Sequence, residues 1–439
     1  MMKDTVSQMN LTSNKCTTLC LSTIISLAAT TSFCSAENIA WENGRRPLLG
    51  VQRWDMYSGK GATQEQELGY LPGKQGFLKA PQWHDRAPFF CRLTEDVDWV
   101  THPAEAGPLW FNYPFRQELL QESMDQEIRY AHNAGIDFFI YNGPVRKLIP
   151  KAYELKNNLD CHVASNIPEA GQIKFVWALY GHGTIHYTRT KVAAMMDETI
   201  EYLKMDNWQK VMDDRPLVIV LWPERFRSDL AGARGAECMT GPEFVAYIRA
   251  RVTGAGLRNP YIVGACVPAR SYEQADILKQ DGYDAFMDYA GGYGGEVAER
   301  DKAPTYAAAT EELINTYESE FLNQELPFIP PCTSMQYPWP RALDKETGKP
   351  KEKWYHYQWP RKGDLADRVR AVFDFVATQP KACEAQVVTM YSWNEHSEGG
   401  GLCPTMGPAP EYKPVTQWLD EMAAALATWQ YPIETMPKN

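Results

Sequence analysis

The sequence predicts a (β/α)8 barrel of the TIM type, α/β in class, with a long insertion after its first strand. Three observations carry that expectation. Apolar runs of strand length recur eight times, segments with helical spacing separate them, and no Gly-rich nucleotide loop follows any early strand. Strands alternating with helices imply a parallel sheet, and eight units favour closure over an open doubly wound sheet. A chain of 439 residues, 44% hydrophobic and 23% charged, can bury a core of that size.

The chain opens on residues 1–36, which read as a secretory signal peptide. Lys3 and Lys15 supply a positive start, a moderately apolar stretch runs from Thr17 to Phe33, and Cys34-Ser35-Ala36 ends it with small residues. The stretch is short and rich in Ser and Thr, so cleavage is favoured over a membrane span. A lipid-attached Cys34 is disfavoured by the bulky Phe33 before it. The expected location is secreted or periplasmic, and residues 37–439 form the barrel domain.

The expected strands are Leu48–Gln52, Ile136–Tyr141, Ile173–Tyr180, Leu217–Trp222, Tyr261–Cys266, Ala285–Tyr289, Pro327–Thr333 and Gln386–Ser392. Between the second strand and the insertion, Leu120, Met124, Ile128 and Ala131 repeat at three- and four-residue spacing, and Gly135 is placed to stop that helix. Ser271 with Gln274 resembles a capping box ahead of Ile277 and Leu278, and Asp364 is expected to cap the helix of Leu365, Val369, Val372 and Val376. Residues 53–115 are rich in Pro, Gly and aromatic residues with little periodicity. A loop of that length in a barrel is expected over the C-terminal face, where active sites form.

A net charge of −11 argues against nucleic acid, which requires an excess of Lys and Arg. With 14 Trp and 23 Tyr, the composition points to neutral ligands that stack on rings, although most such rings serve the core. Seven cysteines lie beyond the leader, with no CxxC pair, so a cysteine-built zinc site is not expected and no cofactor is implied. An odd number leaves at least one free thiol.

The residues that bear chemistry follow the last strand. Ser392-Trp393-Asn394-Glu395-His396-Ser397-Glu398 places two carboxylates three residues apart beyond a strand end. Glycoside cleavage needs one carboxyl group to protonate the departing oxygen and a second as base or nucleophile. A solvated loop is the plainer reading of an E-x-x-E pair; Trp393, the strand end and the following Gly399-Gly400-Gly401, which lets backbone approach a ligand, favour a site. Other strand ends supply candidates for substrate contact: Trp54 and Asp55, Tyr141, His182 and His186, Glu224, Asp288 and Tyr289, Arg341, and Trp393, Asn394 and His396 beside the glutamates. Each has a plain alternative: packing for the Trp residues, an ion pair for Glu224 and Arg341, a structural role for the His pair. The four-residue spacing of His182 and His186 also suits a metal, but no third ligand is evident.

Trp393-Asn394-Glu395 through Glu398-Gly399, then Leu402 and Pro404, resembles the W-N-E-W-x-E-G-x-x-I/L-E-P signature of glycoside hydrolase family 99 and its family-99-like (WbsX-type) relatives. Glu127 to Tyr141, Tyr283 to Tyr289 and Pro330 to Arg341 are similar to that family's segments in the same order. The resemblance covers most of residues 45–425 and implies a retaining endo-α-mannosidase. Carried over, Glu395 is the base that takes the substrate's 2-hydroxyl proton through an epoxide-like intermediate, and Glu398 is the general acid and then base. His396 stands where the family has Trp, and Cys403 where it has a later Glu. Cys332 and Cys403, expected near the tops of neighbouring strands, are disulfide candidates.

The leading expectation is thus a secreted glycosidase acting on a poly- or oligosaccharide. A carbohydrate-binding barrel without catalysis is the alternative, made credible by His396 and Cys403. A glycosyltransferase is disfavoured by the signal peptide, since nucleotide sugars are cytoplasmic. A metal-dependent hydrolase using His182 and His186 is the third rival.

Overall fold

The computed structural model describes residues 46–54, 86–89, 92–94, 110–112, 117–142, 158–181, 185–266, 270–291, 296–297, 302–334, 354–355, 358–408 and 411–432. Residues 1–36, read as a signal peptide, most of the insertion, and Asp55, His182 and Arg341 lie outside the described residues. No helix among the described residues is long and apolar enough to cross a membrane.

All eight expected strands form, with ends no more than four residues from those predicted. They are β1 Leu48–Trp54, β2 Phe138–Asn142, β3 Lys174–Tyr180, β4 Arg215–Leu221, β5 Tyr261–Cys266, β6 Ala285–Asp288, β7 Pro331–Thr333 and β8 Val387–Tyr391. Each pairs in parallel with its neighbour from β1 to β6, β8 lies between β7 and β1, and Leu48 aligns with Val387. The ring closes between β6 and the approach to β7, where Phe286 N–H donates to Pro327 O at 3.0 Å and Ile329 N–H to Phe286 O at 2.9 Å. The seventh strand is shorter than expected because Pro330 and Pro331 lack N–H groups. Pairing is with β6 before them and with β8 after them. The strands are largely apolar because each is covered on one face by the barrel interior and on the other by helices.

The interior is filled by side chains. Gly50 of β1 faces Phe138 of β2 in register, and a Cβ at Gly50 would lie 2.2 Å from the Phe138 ring. Only glycine leaves that ring its place. On the outer face lie α1 Gln117–Asn133, α2 Asn158–Ala164, α3 Arg189–Leu203, α4 Pro223–Gly232, α5 Gly241–Gly254, α6 Ala275–Asp281, α7 Tyr306–Thr316, α8 Asp364–Thr378 and α9 Gln417–Thr428. Helix α1 ends as expected near Gly135, which has φ +76°.

Two expected caps form differently. Ser271–Gln274 is a 3-10 turn ahead of α6 with no side-chain cap of its own; instead the Ser271 N–H donates to Asp288 Oδ1 at 2.5 Å. Gly363, at φ +97°, is the cap of α8, and Asp364 accepts from Arg361 N–H one residue inside. A reciprocal Thr240–Glu243 capping box, not anticipated, starts α5.

Of the insertion, the described pieces are a small antiparallel pair, Arg92–Thr94 with Trp110–Asn112, and the segment Arg86–Phe89. The latter lies along the loop that follows β8: Phe89 N–H donates to Pro404 O at 2.8 Å and Met406 N–H to Ala87 O at 2.7 Å. The expected Cys332–Cys403 disulfide is absent. Cys332 is a free, fully buried thiol in β7, and burial pushes its pKa up to about 12.

Candidate active site

The loop after β8 is held to β1 by a continuous set of hydrogen bonds. The chain leaves the strand through a cis Tyr391–Ser392 peptide, and Trp393 N–H donates to Gln52 O at 2.6 Å. The Asn394 side chain then brackets the Trp54 backbone, accepting its N–H at 2.9 Å and donating to its carbonyl at 2.8 Å. Asn394 therefore acts as one more rung of the ladder, which puts Glu395 directly over the end of the barrel.

Glu395 N–H donates to Ser392 Oγ at 3.1 Å and to Gly400 O at 2.9 Å, and Gly400 N–H returns a bond to Glu395 O at 3.0 Å. His396–Glu398 forms a single 3-10 turn closed by Glu398 N–H to Glu395 O. The glycines after it serve the loop itself rather than the approach of a ligand. A Cβ at Gly400 would lie 2.8 Å from Ser392 Oγ, and one at Gly401 2.6 Å from His396 Nδ1.

Facing this loop is a wall of rings. Trp54, at the end of β1, donates its indole N–H to the Tyr289 hydroxyl and stands edge-on to Tyr180 at 5.4 Å and to Tyr289 at 6.1 Å. Tyr180 stacks on Trp222 at 5.7 Å with 12° between the planes. Tyr289 meets Tyr391 edge-on at 5.2 Å, and the Tyr391 hydroxyl donates to Glu398 Oε2. Burial raises the Tyr289 and Tyr391 phenols well above their usual range, and the nearby charges of Glu395 and Glu398 add to it. Tyr180 is pushed up to about 12 by burial, with Glu395 contributing. The three tyrosines are thus neutral hydroxyls around two carboxylates. Trp222 holds its ring in place from a left-handed backbone, φ +67°, where non-glycine residues are uncommon.

Of the residues predicted for the site, the structure brings together Glu395, Glu398, Asn394, Trp54 and Tyr289. Several others are placed elsewhere. Trp393 is fully buried on the outer face of the sheet, its indole N–H donating to Glu127 of α1 and its ring edge-on to Phe139 at 5.0 Å. Tyr141 also faces outward, with its hydroxyl 2.9 Å from His162 Nδ1. Burial lowers His162 to about 4, and its Nε2–H donates to Ile173 O, so neutral Nδ1 is the acceptor for Tyr141.

Asp288 is fully buried and caps the Ser271 turn; burial raises its carboxyl to about 6. Glu224 lines a small cavity between α4 and α6 with Cys266, Leu278 and Asp281. His186 is exposed and lies 3.7 Å from Asp229. His396 is buried against Gly401, is lowered to about 3 by burial and by Arg86, and so is a neutral packing ring.

The site also contains residues the sequence did not single out: Tyr180, Trp222 and Tyr391. Strand-end position was the available signal, since Tyr180 and Tyr391 are the last residues of β3 and β8 and Trp222 follows β4. Glu127, which meets the loop through Trp393, opens the Glu127–Tyr141 segment, and nothing in that segment marks it for a role at the site.

No family model matches this chain, and no curated protein matches it. Solved structures similar to it include the GH99 endo-alpha-mannosidase from Bacteroides thetaiotaomicron, at 12% identity over 86% of this chain and 96% of that one, TM-score 0.47. A glycoside hydrolase-like protein is similar at 12% identity, over 88% and 95% of the two chains, TM-score 0.47. A GH5-4 broad specificity endoglucanase from an uncultured bacterium is similar at 12% identity, over 69% and 84%, TM-score 0.37. The likeness in each case is one of overall fold.

Proposed function

We propose that this chain is a secreted glycoside hydrolase that cleaves a poly- or oligosaccharide with retention of configuration. The observation that carries the reading is the convergence of Glu395 and Glu398 on the Trp54–Tyr289–Tyr391 wall at the C-terminal end of β8. Two carboxylates at one point suit the acid and base of glycoside cleavage, and the surrounding rings offer apolar faces to the C–H faces of a neutral sugar.

The roles follow the family resemblance of the Trp393–Pro404 segment. Glu395 takes the proton of the substrate's 2-hydroxyl as that oxygen attacks C1, while Glu398 gives a proton to the departing glycosidic oxygen. Glu398 then takes a proton from water as the water attacks C1, and Glu395 returns the proton to the 2-oxygen. Inversion occurs twice, so configuration is retained. The first step requires the 2-oxygen and the leaving group on opposite faces of the ring. An α-mannoside meets that requirement with both groups axial. For Glu398, the Tyr391 hydroxyl donates to Oε2 and so fixes the carboxyl beside the leaving group.

A panel of α-mannosides and other 1,2-trans glycans, with the product anomer followed by NMR, tests the proposal. Retained product from the wild-type protein, and loss of turnover in Glu398→Gln and Glu395→Gln, are the expected results. An inverted product would remove the epoxide route. Binding without turnover across the panel would identify a carbohydrate-binding barrel instead.

A further inference from the structure

We propose that Glu127, on α1 outside the barrel, is a positioning residue for the catalytic loop and acts through Trp393. The inference rests on the reading of Glu395 as catalytic. Glu127, Arg53 and Trp393 are all buried, at 4%, 0% and 0% exposure. Glu127 Oε2 accepts the Trp393 indole N–H and pairs with Arg53 Nη1 at 2.9 Å. The Arg53 guanidinium lies over the rings of Phe139 and Tyr141, 5.3 and 5.2 Å from their centroids, and Trp393 meets the same Phe139. The three side chains therefore form one packed unit between the sheet and α1.

What this unit holds follows from the directions in which its residues and their neighbours face. Arg53 and Trp54 are consecutive residues of β1 and point to opposite faces; beyond the end of β8, past the cis Tyr391–Ser392 peptide, Trp393 packs outward on Glu127 and Phe139 while Asn394 turns to the Trp54 backbone. On the inner face, Asn394 is hydrogen-bonded twice to the Trp54 backbone. On the outer face, Trp393 is joined to Arg53 through the Glu127 carboxylate. The same two dipeptides are thus clamped on both sides of the sheet, and each carries a site residue: Trp54 itself, and Glu395 next to Asn394. A buried ion pair is poor evidence of net stabilisation, because desolvation offsets much of its attraction. An acceptor fixed at the Trp393 indole has a clearer effect, since the ring cannot shift without burying an unpaired N–H.

The test removes both buried charges at once, so that neither variant leaves an uncompensated ion. Arg53→Met with Glu127→Leu has no acceptor for the indole, whereas Arg53→Met with Glu127→Gln keeps one. The first variant is expected to lower kcat by about 100-fold, the scale of an ångström's misplacement, with KM within about threefold. The second should keep kcat within about threefold of wild type. Backbone amide exchange at Trp393, Glu395 and Gly400, whose N–H groups hold the loop, should rise about tenfold in the Leu variant alone. A purely structural role would change melting temperature and leave the two variants alike in kcat and in exchange; that result overturns the proposal. Should the wild-type protein turn over no glycan, the hydrolase reading fails, and the exchange comparison alone decides the role of Glu127.

Discussion

At the end of β8, Glu395 and Glu398 lie among Tyr180, Tyr289, Tyr391 and Trp54; at the ends of β4 and β6, Glu224 and Asp288 lie among the helices α4 and α6. All four acids stand at or after strand ends of one barrel, and strand-end position alone does not tell them apart. The difference between the two regions is one of strand face. Asp288 has the parity of Phe286, which packs outward on Phe321 at 5.2 Å, whereas Tyr289, one residue later, turns inward to Trp54. An outward carboxylate becomes a cap for a neighbouring turn; an inward one meets the cleft.

The largest expected effect separates the two regions outright. Glu398→Gln should reduce kcat by at least about 1,000-fold in glycan hydrolysis, since general acid–base catalysis contributes on that scale. Asp288→Asn should leave kcat within a few-fold of wild type. Comparable losses in both variants would erase the distinction between inner and outer acids.

Tyr391→Phe sharpens the inner region. It removes the hydroxyl that donates to Glu398, and a hydrogen bond to a charged group contributes about 1.5–3 kcal/mol, so kcat should fall by roughly 10- to 100-fold. An unchanged pH–rate profile and kcat would show that Glu398 does not depend on this contact.

The outer region should show itself in stability rather than rate. Burial raises Asp288 from 3.8 to about 6, so the folded chain binds a proton that the unfolded chain has released between those values. Stability therefore falls as pH rises from about 4 to 6, by about 3 kcal/mol from this group, and changes no further above that. Denaturant unfolding at intervals from pH 4 to 7 should show this slope flattened in Asp288→Asn. Tyr141→Phe is the smallest expected change. It leaves buried His162 Nδ1 without its donor, at about 1–2 kcal/mol of stability, and kcat should be untouched. A fall in kcat there would return Tyr141 to the site.

The sequence by itself determined the barrel, because a strand covered on both faces must be apolar throughout and eight such runs alternate with helices. It also determined where the two glutamates stand, since the WNE segment directly follows the last run. Tertiary structure decided which neighbours share that site. Trp393 stands two residues before Glu395 in sequence yet packs outside the barrel, while Tyr391, which no motif singles out, touches Glu398. Glu127 comes within reach of the loop only because α1 covers the seam between β1 and β2. In a fully buried strand both faces are apolar, so hydropathy does not reveal which way a side chain points, and that direction is settled only when the hydrogen-bond register closes the ring.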